Sequence, residues 1–195
     1  MNLSKEIASM YDDAVRIRQD LHRIPEIGFQ LHDTQAYVLN ELRQCAPDRL
    51  ETLAVCGVKA VFFAKDAQKT IALRADMDGI HNDEANDVPY RSQTPGMMHA
   101  CGHDVHTAVL MGALQELNRS RDFEGTLLGL FQPGEECNPG GASLVLAEKP
   151  FEGYDVRAVV GEHVEPQLEV GTLGFRAGKY MAASDELRFR VRGTG

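Results

Sequence analysis

In Met98-His99-Ala100-Cys101-Gly102-His103-Asp104-Val105-His106, nine residues hold three histidines, a cysteine and an aspartate. Thiolate, imidazole and carboxylate are the side chains that bind transition metals. Cys101 and His103 are two apart and would face different ways within one helix. A tight turn opening a helix could aim both at one ion, and Gly102 permits such a turn. The alternative is a polar loop before a helix, with a buried structural cysteine. Further candidates lie elsewhere. Asp76 and Asp78 could converge on a cation or on a ligand histidine, Glu135-Glu136 follow a Pro-Gly turn, and His163 follows Gly161-Glu162. Adjacent acids in extended chain point opposite ways, so one can bind metal while its neighbour faces an attacking water. Metal lowers the pKa of water from about 16 towards about 7. A nearby carboxylate then takes the proton and passes it to a leaving amine. That is equipment for hydrolysing an amide, and so mixed a set of N, O and S donors suits two ions better than one tetrahedral zinc.

The surrounding pattern has to bring these groups together. Ile7, Met10, Ala14, Ile17 and Leu21 mark one apolar helix face, which Pro25 stops. A second helix opens at Asp33, with Val38, Leu42 and Cys45 on its apolar face. His22 and Glu26 flank the break between them and read as local hydrogen-bonding groups. Strands are predicted at 55–64, 70–75, 125–131 and 156–160, helices at 105–117 and 140–148, and a long polar loop at 81–97. Alternating strands and helices predict an α/β fold, a mostly parallel sheet flanked by helices with right-handed crossovers. Sites in such sheets form outside the carboxyl ends of the strands. Asp76, Asp78, Cys101, His103, Glu135, Glu136 and His163 would all lie at that one rim. After Gly171 the character changes, with strands expected at 173–175 and 186–191. The latter alternates Leu187, Phe189 and Val191 against charged residues, as if a second, α+β unit were starting. The expected division is 1–180 for the first unit and 181–195 for the second.

Composition narrows the function. With 43% hydrophobic and 25% charged residues the chain is ordinary for a soluble protein, and its net charge of -9 argues against nucleic acid or an anionic membrane surface as partner. The amino terminus lacks a secretory apolar core, and the four cysteines show no framework spacing, so they read as reduced thiols in the cytoplasm. A thiol-redox role for Cys101 would need Cys137 as a long-range partner.

Several stretches together carry a resemblance. These are Leu21-His22-Arg23-Ile24-Pro25-Glu26-Ile27-Gly28-Phe29, Leu73-Arg74-Ala75-Asp76-Met77-Asp78, His99-Ala100-Cys101-Gly102-His103-Asp104, Phe131-Gln132-Pro133-Gly134-Glu135-Glu136 and Gly161-Glu162-His163-Val164. In order and spacing the chain resembles the amidohydrolase branch of the aminoacylase and carboxypeptidase G metallopeptidases, which includes hippurate hydrolases, N-acyl-amino-acid deacetylases and auxin-conjugate hydrolases. The resemblance implies a zinc-peptidase-like catalytic domain and two divalent metal ions, zinc or manganese, with cobalt or nickel as alternatives. It implies Cys101, His103, Glu136 and His163 as metal ligands, Glu135 as general base, and Asp78 behind the metal site, orienting a ligand. It further implies an N-acyl amino acid or short peptide as substrate and a homodimer formed through a lid domain that begins near 181. The chain departs from the family pattern at Gly79-Ile80-His81-Asn82 and at Glu162, which stands where an apolar residue is usual. It resembles the N-terminal half of such an enzyme. The other function expected of such a piece is a catalytically incomplete metal-binding or interaction module.

Overall fold

A computed structural model describes residues 3–181 and 187–194. The apolar face at the amino terminus forms two helices, α1 (Leu3–Ser9) and α2 (Tyr11–Arg23), broken at Met10 where one continuous helix was expected. Asp12 and Asp13 in the first turn of α2, and His22 and Arg23 in its last, complement the helix dipole. The next helix, α3 (His32–Gln44), begins one residue before the predicted cap Asp33. Its cap comes from outside: the Glu26 carboxylate accepts the Asp33 N–H at 3.2 Å and the Thr34 N–H at 2.8 Å. Glu26 therefore does the local work expected of it, and Glu26→Ala should cost about 1 kcal/mol of stability in denaturant unfolding.

Strands β1 (Arg49–Leu53) and β2 (Gly57–Phe63) form a hairpin, because the three-residue link at 54–56 is too short for a crossover. Strand β3 (Lys65–Asp76) leads to the small pair β4 (Ile80–His81) and β5 (Met97–Met98), then to α4 (His103–Ser120) and β6 (Glu124–Gln132). The last elements are α5 (Gly141–Ala147) and β7 (Asp155–Gly161). Sheet order is β1-β2-β6-β3-β7. Pairs β6–β3 and β3–β7 are parallel, as the alternation predicted, whereas β1–β2 and β2–β6 are antiparallel, so the sheet is mixed. The strand at 49–53 escaped sequence reading because its mostly polar residues offer no apolar run.

One face of the sheet packs Val58, Ala60, Phe62, Leu127 and Phe131 against Ile17, Leu21, Val38, Leu42, Met111 and Leu114 of α2, α3 and α4. The other face packs Val61, Ala72, Leu128 and Leu130 with Val145 of α5. Each fully buried Leu or Phe contributes roughly 1.5–3 kcal/mol. The chain leaves β3 towards α4 on one face and leaves β6 towards α5 on the other. The carboxyl ends of β3 and β6 thus flank the crevice in which α/β folds build sites.

The compact unit runs from Met1 to Val164, and a second unit covers Glu165–Gly195. Within the second unit, turns at Glu165–Leu168 and Glu169–Thr172 are hydrogen-bonded, and the Tyr180 hydroxyl donates to Gly174 O. Residues 173–175 and 187–191 are not strands, and Glu186 lies outside the described residues. Leu173, Phe175, Leu187, Phe189 and Val191 are all exposed. An alternating pattern becomes a strand only beside a neighbouring strand, and none pairs with these segments among the described residues.

Candidate metal centre

The backbone beyond β3 continues the sheet for one more bond, with Met77 N–H donating to Gln132 O at 3.0 Å. Asp76 and Asp78 are thereby set beside the turn that follows β6. The Asp78 carboxylate, fully buried, accepts the Glu135 N–H at 2.9 Å through Oδ1 and the Glu136 N–H at 3.0 Å through Oδ2. One side chain thus holds both adjacent glutamates by their backbone. The Gly79 N–H donates to Glu26 O at 2.7 Å, which joins this turn to the segment entering α3.

Gly102 opens α4 in the left-handed region, at φ 86°, which is the turn its sequence position suggested. A Cβ there would stand 2.5 Å from Val164 Cγ2. Gly102→Ala should therefore lower stability by about 1–3 kcal/mol from backbone strain alone, measured by denaturant unfolding, and more if Val164 cannot shift. The turn aims the two candidate ligands inward together. Cys101 Sγ lies 3.4 Å from His163 Nε2. His103 Nε2 lies 3.8 Å from Glu136 Oε1 and 4.0 Å from Glu135 Oε2, while its Nδ1 is 3.5 Å from Asp78 Oδ1. Ligand atoms of Cys101, His103 and His163, and of His103, Glu135 and Glu136, fall within 4.8 Å of one another. His103 belongs to both groups, so Cys101, His163, Glu135 and Glu136 all lie around one imidazole. Asp78 stands behind His103, His163 is exposed, and Glu135 and Glu136 are partly open to solvent.

The electrostatics favour a cation. Burial lowers the basicity of His103, but its contact with Asp78 and the charges of Asp76, Asp78 and Glu135 outweigh burial and raise its pKa. Burial, then repulsion from Glu136, raises the Glu135 carboxyl. Burial, a hydrogen bond to Glu136 and the nearby acids push the Cys101 thiol up to about 12. Burial alone would raise Asp76, yet the hydrogen bond from His106 and the charges of His103 and Arg74 hold it down to about 2. Carboxylates crowd a thiol and imidazoles here, and neither nitrogen of the buried His103 makes a good hydrogen bond. A buried, unpartnered imidazole among acids is what divalent metal requires of its ligands, so the residues fit such an ion.

Two features were not legible as function. His106 lies one turn beyond His103 on α4, fully buried, with Nδ1 2.7 Å from Asp76 Oδ1. The signal for it was the i, i+3 spacing from His103, which places both on one helix face. His22 is not a local group: its Nδ1 lies 2.7 Å from Asp104 Oδ2 and its Nε2 3.1 Å from Glu84 Oε1. Glu84 also accepts the Ser92 N–H, at 2.6 Å, so this buried bridge ties the long loop to α2 and α4. His81 is exposed on β4. Glu162 is exposed beside His163, its carboxyl pKa raised by partial desolvation and by the charge of Asp76. All four cysteines are free.

The fold and this cluster define a class: an α/β protein that gathers side chains able to hold a metal ion at the carboxyl ends of parallel strands. Residues 72–192 match the sequence profile of peptidase family M20/M25/M40, and the chain belongs to that family. It is 37% identical over 185 residues to an N-acetyldiaminopimelate deacetylase of Exiguobacterium sibiricum, covering 92% of this chain and 48% of the relative. It is 36% identical over 190 residues to an N-acetyl-L-cysteine deacetylase of Bacillus subtilis, covering 97% of this chain and 45% of the relative. The crystal structure of the Bacillus subtilis YXEP protein, described as a dinuclear metal-binding peptidase of the M20 family, superposes with a TM-score of 0.82 and 34% identity. That match covers 88% of this chain and 48% of the other. The chain spans about half the length of the curated relatives it matches.

Proposed function

We propose that the full-length protein is a metal-dependent amidohydrolase that removes the acyl group from N-acyl amino acids or short peptides. The observation that carries this is the grouping of Cys101 and His163, and of Glu135 and Glu136, around the buried His103. The relatives named as deacetylases of N-acetyl amino compounds support the substrate class, and the dinuclear metal-binding neighbour supports a pair of ions. Cys101, His103, Glu136 and His163 would hold them, and this mixture of S, N and O donors suits zinc or manganese, with cobalt or nickel also accommodated. Metal bound there supplies Lewis acidity, which acidifies water and polarises the scissile carbonyl. Glu135 takes the proton from the attacking water at its carboxylate oxygen and returns it to the amine nitrogen as the C–N bond breaks. Its raised pKa makes it a better match to both halves of that transfer. Asp78 fixes the backbone of both glutamates in a turn, and both carboxylates come to the same side, 4.0 and 3.8 Å from His103 Nε2, rather than pointing opposite ways as extended chain would place them.

Residues 181–195 would begin a lid domain through which the full-length chain forms a homodimer, with residues 1–180 belonging to the catalytic domain. No helix among the described residues is long and apolar enough to cross a membrane. With four free cysteines, the cytoplasm is the compartment that suits the thiol ligand. The test is direct. The full-length chain, with its metal content measured, is assayed for amine release from N-acetyl and N-benzoyl amino acids before and after chelation. Turnover that chelation abolishes and zinc or manganese restores is expected. A metal-loaded intact chain that hydrolyses none of them would instead be a non-catalytic metal-binding module.

A further inference from the structure

We propose that His106 is a positioning residue: by holding the Val164 peptide it sets the direction from which His163 presents its free nitrogen to the metal centre. This rests on His163 being a metal ligand, as proposed above. His106 is wholly buried, and each of its ring nitrogens has one partner. Its Nε2 accepts the Val164 N–H at 3.0 Å, which requires a lone pair there. The ring proton therefore sits on Nδ1 and is donated to Asp76 Oδ1 at 2.7 Å. Although ligand atoms of Asp76, His103 and His106 lie within 4.8 Å of one another, His106 has no lone pair left to offer an ion. It supports the centre rather than joining it.

On the other side of Val164, the His163 ring places Nδ1 2.8 Å from the Val164 carbonyl oxygen. Nδ1–H donates there, which leaves Nε2 with its lone pair directed at Cys101 Sγ, 3.4 Å away. One run of hydrogen bonds thus joins Asp76 at the end of β3, His106 on α4, Val164 and His163. The strand that delivers His163 needs this anchor: the β3–β7 ladder ends at the Arg74–Gly161 pair, so His163 lies beyond the last rung and is exposed. The Val164 side chain also packs on Gly102, and so registers the Cys101-Gly102-His103 turn against His163.

Two substitutions separate the bonds. In His106→Gln the side-chain oxygen reaches the position of Nε2 and keeps an acceptor for Val164. In His106→Asn the shorter amide reaches only the Nδ1 position and loses that acceptor. The full chain is stripped of metal and titrated with zinc alone against a competing chelator. His106→Asn should bind zinc about 10–100-fold more weakly, the usual cost of losing a residue that orients a ligand, while His106→Gln stays close to the parent. Parental affinity in His106→Asn, or an equal loss in both variants, overturns the proposal. If His106→Asn proves unfolded by circular dichroism, His106→Gln decides: retained affinity supports the role and a comparable loss overturns it. Nitrogen-15 spectra of the metal-free parent give a readout that does not depend on zinc. They should show the His106 proton on Nδ1 and a slowly exchanging Val164 amide, and a proton on Nε2 would overturn the arrangement. If the parent binds no zinc, the ligand assignment fails, while the spectra still decide whether His106 holds Val164.

Discussion

Glu135→Gln in the full-length chain should retain its metal while kcat falls by about 10²–10⁴-fold, the range that a positioned general base supplies. Glutamine keeps the size of the side chain and leaves the Glu135 N–H bonded to Asp78, so the turn after β6 survives. What it removes is the oxygen that accepts and returns a proton. Because Glu135 stands in for proton transfer rather than for substrate binding, KM should change little. Metal content measured beside the rate separates the two glutamates. A Glu136→Gln variant should lose metal, whereas Glu135→Gln should not. Full turnover in Glu135→Gln would remove Glu135 from the mechanism and leave the metal cluster standing.

The second large effect is expected at Asp78, which makes no claim on substrate. Its carboxylate is the acceptor for two successive amides and lies 3.5 Å from His103 Nδ1. Asp78→Ala leaves both N–H groups without that partner, at about 1–3 kcal/mol for each that water cannot reach. It also frees the His103 ring to turn. Metal affinity and turnover should both fall by about 10–100-fold. Asp78→Asn keeps one acceptor oxygen and should fall between Asp78→Ala and the parent in stability. Equal stability and metal affinity in all three proteins would show that the turn holds itself.

Side-chain chemistry was readable wherever it depended on residue type and neighbouring sequence. The thiol, imidazoles and paired acids announced a candidate metal centre, and Gly102 announced the turn that opens α4. The apolar runs that became β2, the end of β3 and β6 were visible for the same reason, since buried strands must be apolar over their length, and the exposed edge strand β7 was visible by its valines. Long-range partnerships were not. His22 bonds to Glu84 and Asp104, far away in the chain, and nothing beside His22 encodes them. Strand β1 is polar enough to pass for loop, and is a strand because β2 folds back upon it. The alternation at 187–191 reads as a strand on its own terms yet pairs with no strand among the described residues, because a strand is defined by its neighbour.

By itself, then, the sequence determined which residues are candidate donors, their order along the chain and the parallel half of the sheet, because ligand chemistry and burial are local properties of residue types. Tertiary structure alone decided that Asp78 grips Glu135 and Glu136 through their amides, that Glu26 caps α3, and that His106 reaches Val164 across the end of the sheet. Hydrogen bonds of that kind join atoms whose separation is fixed only when strands and helices pack, so no spacing of letters records them.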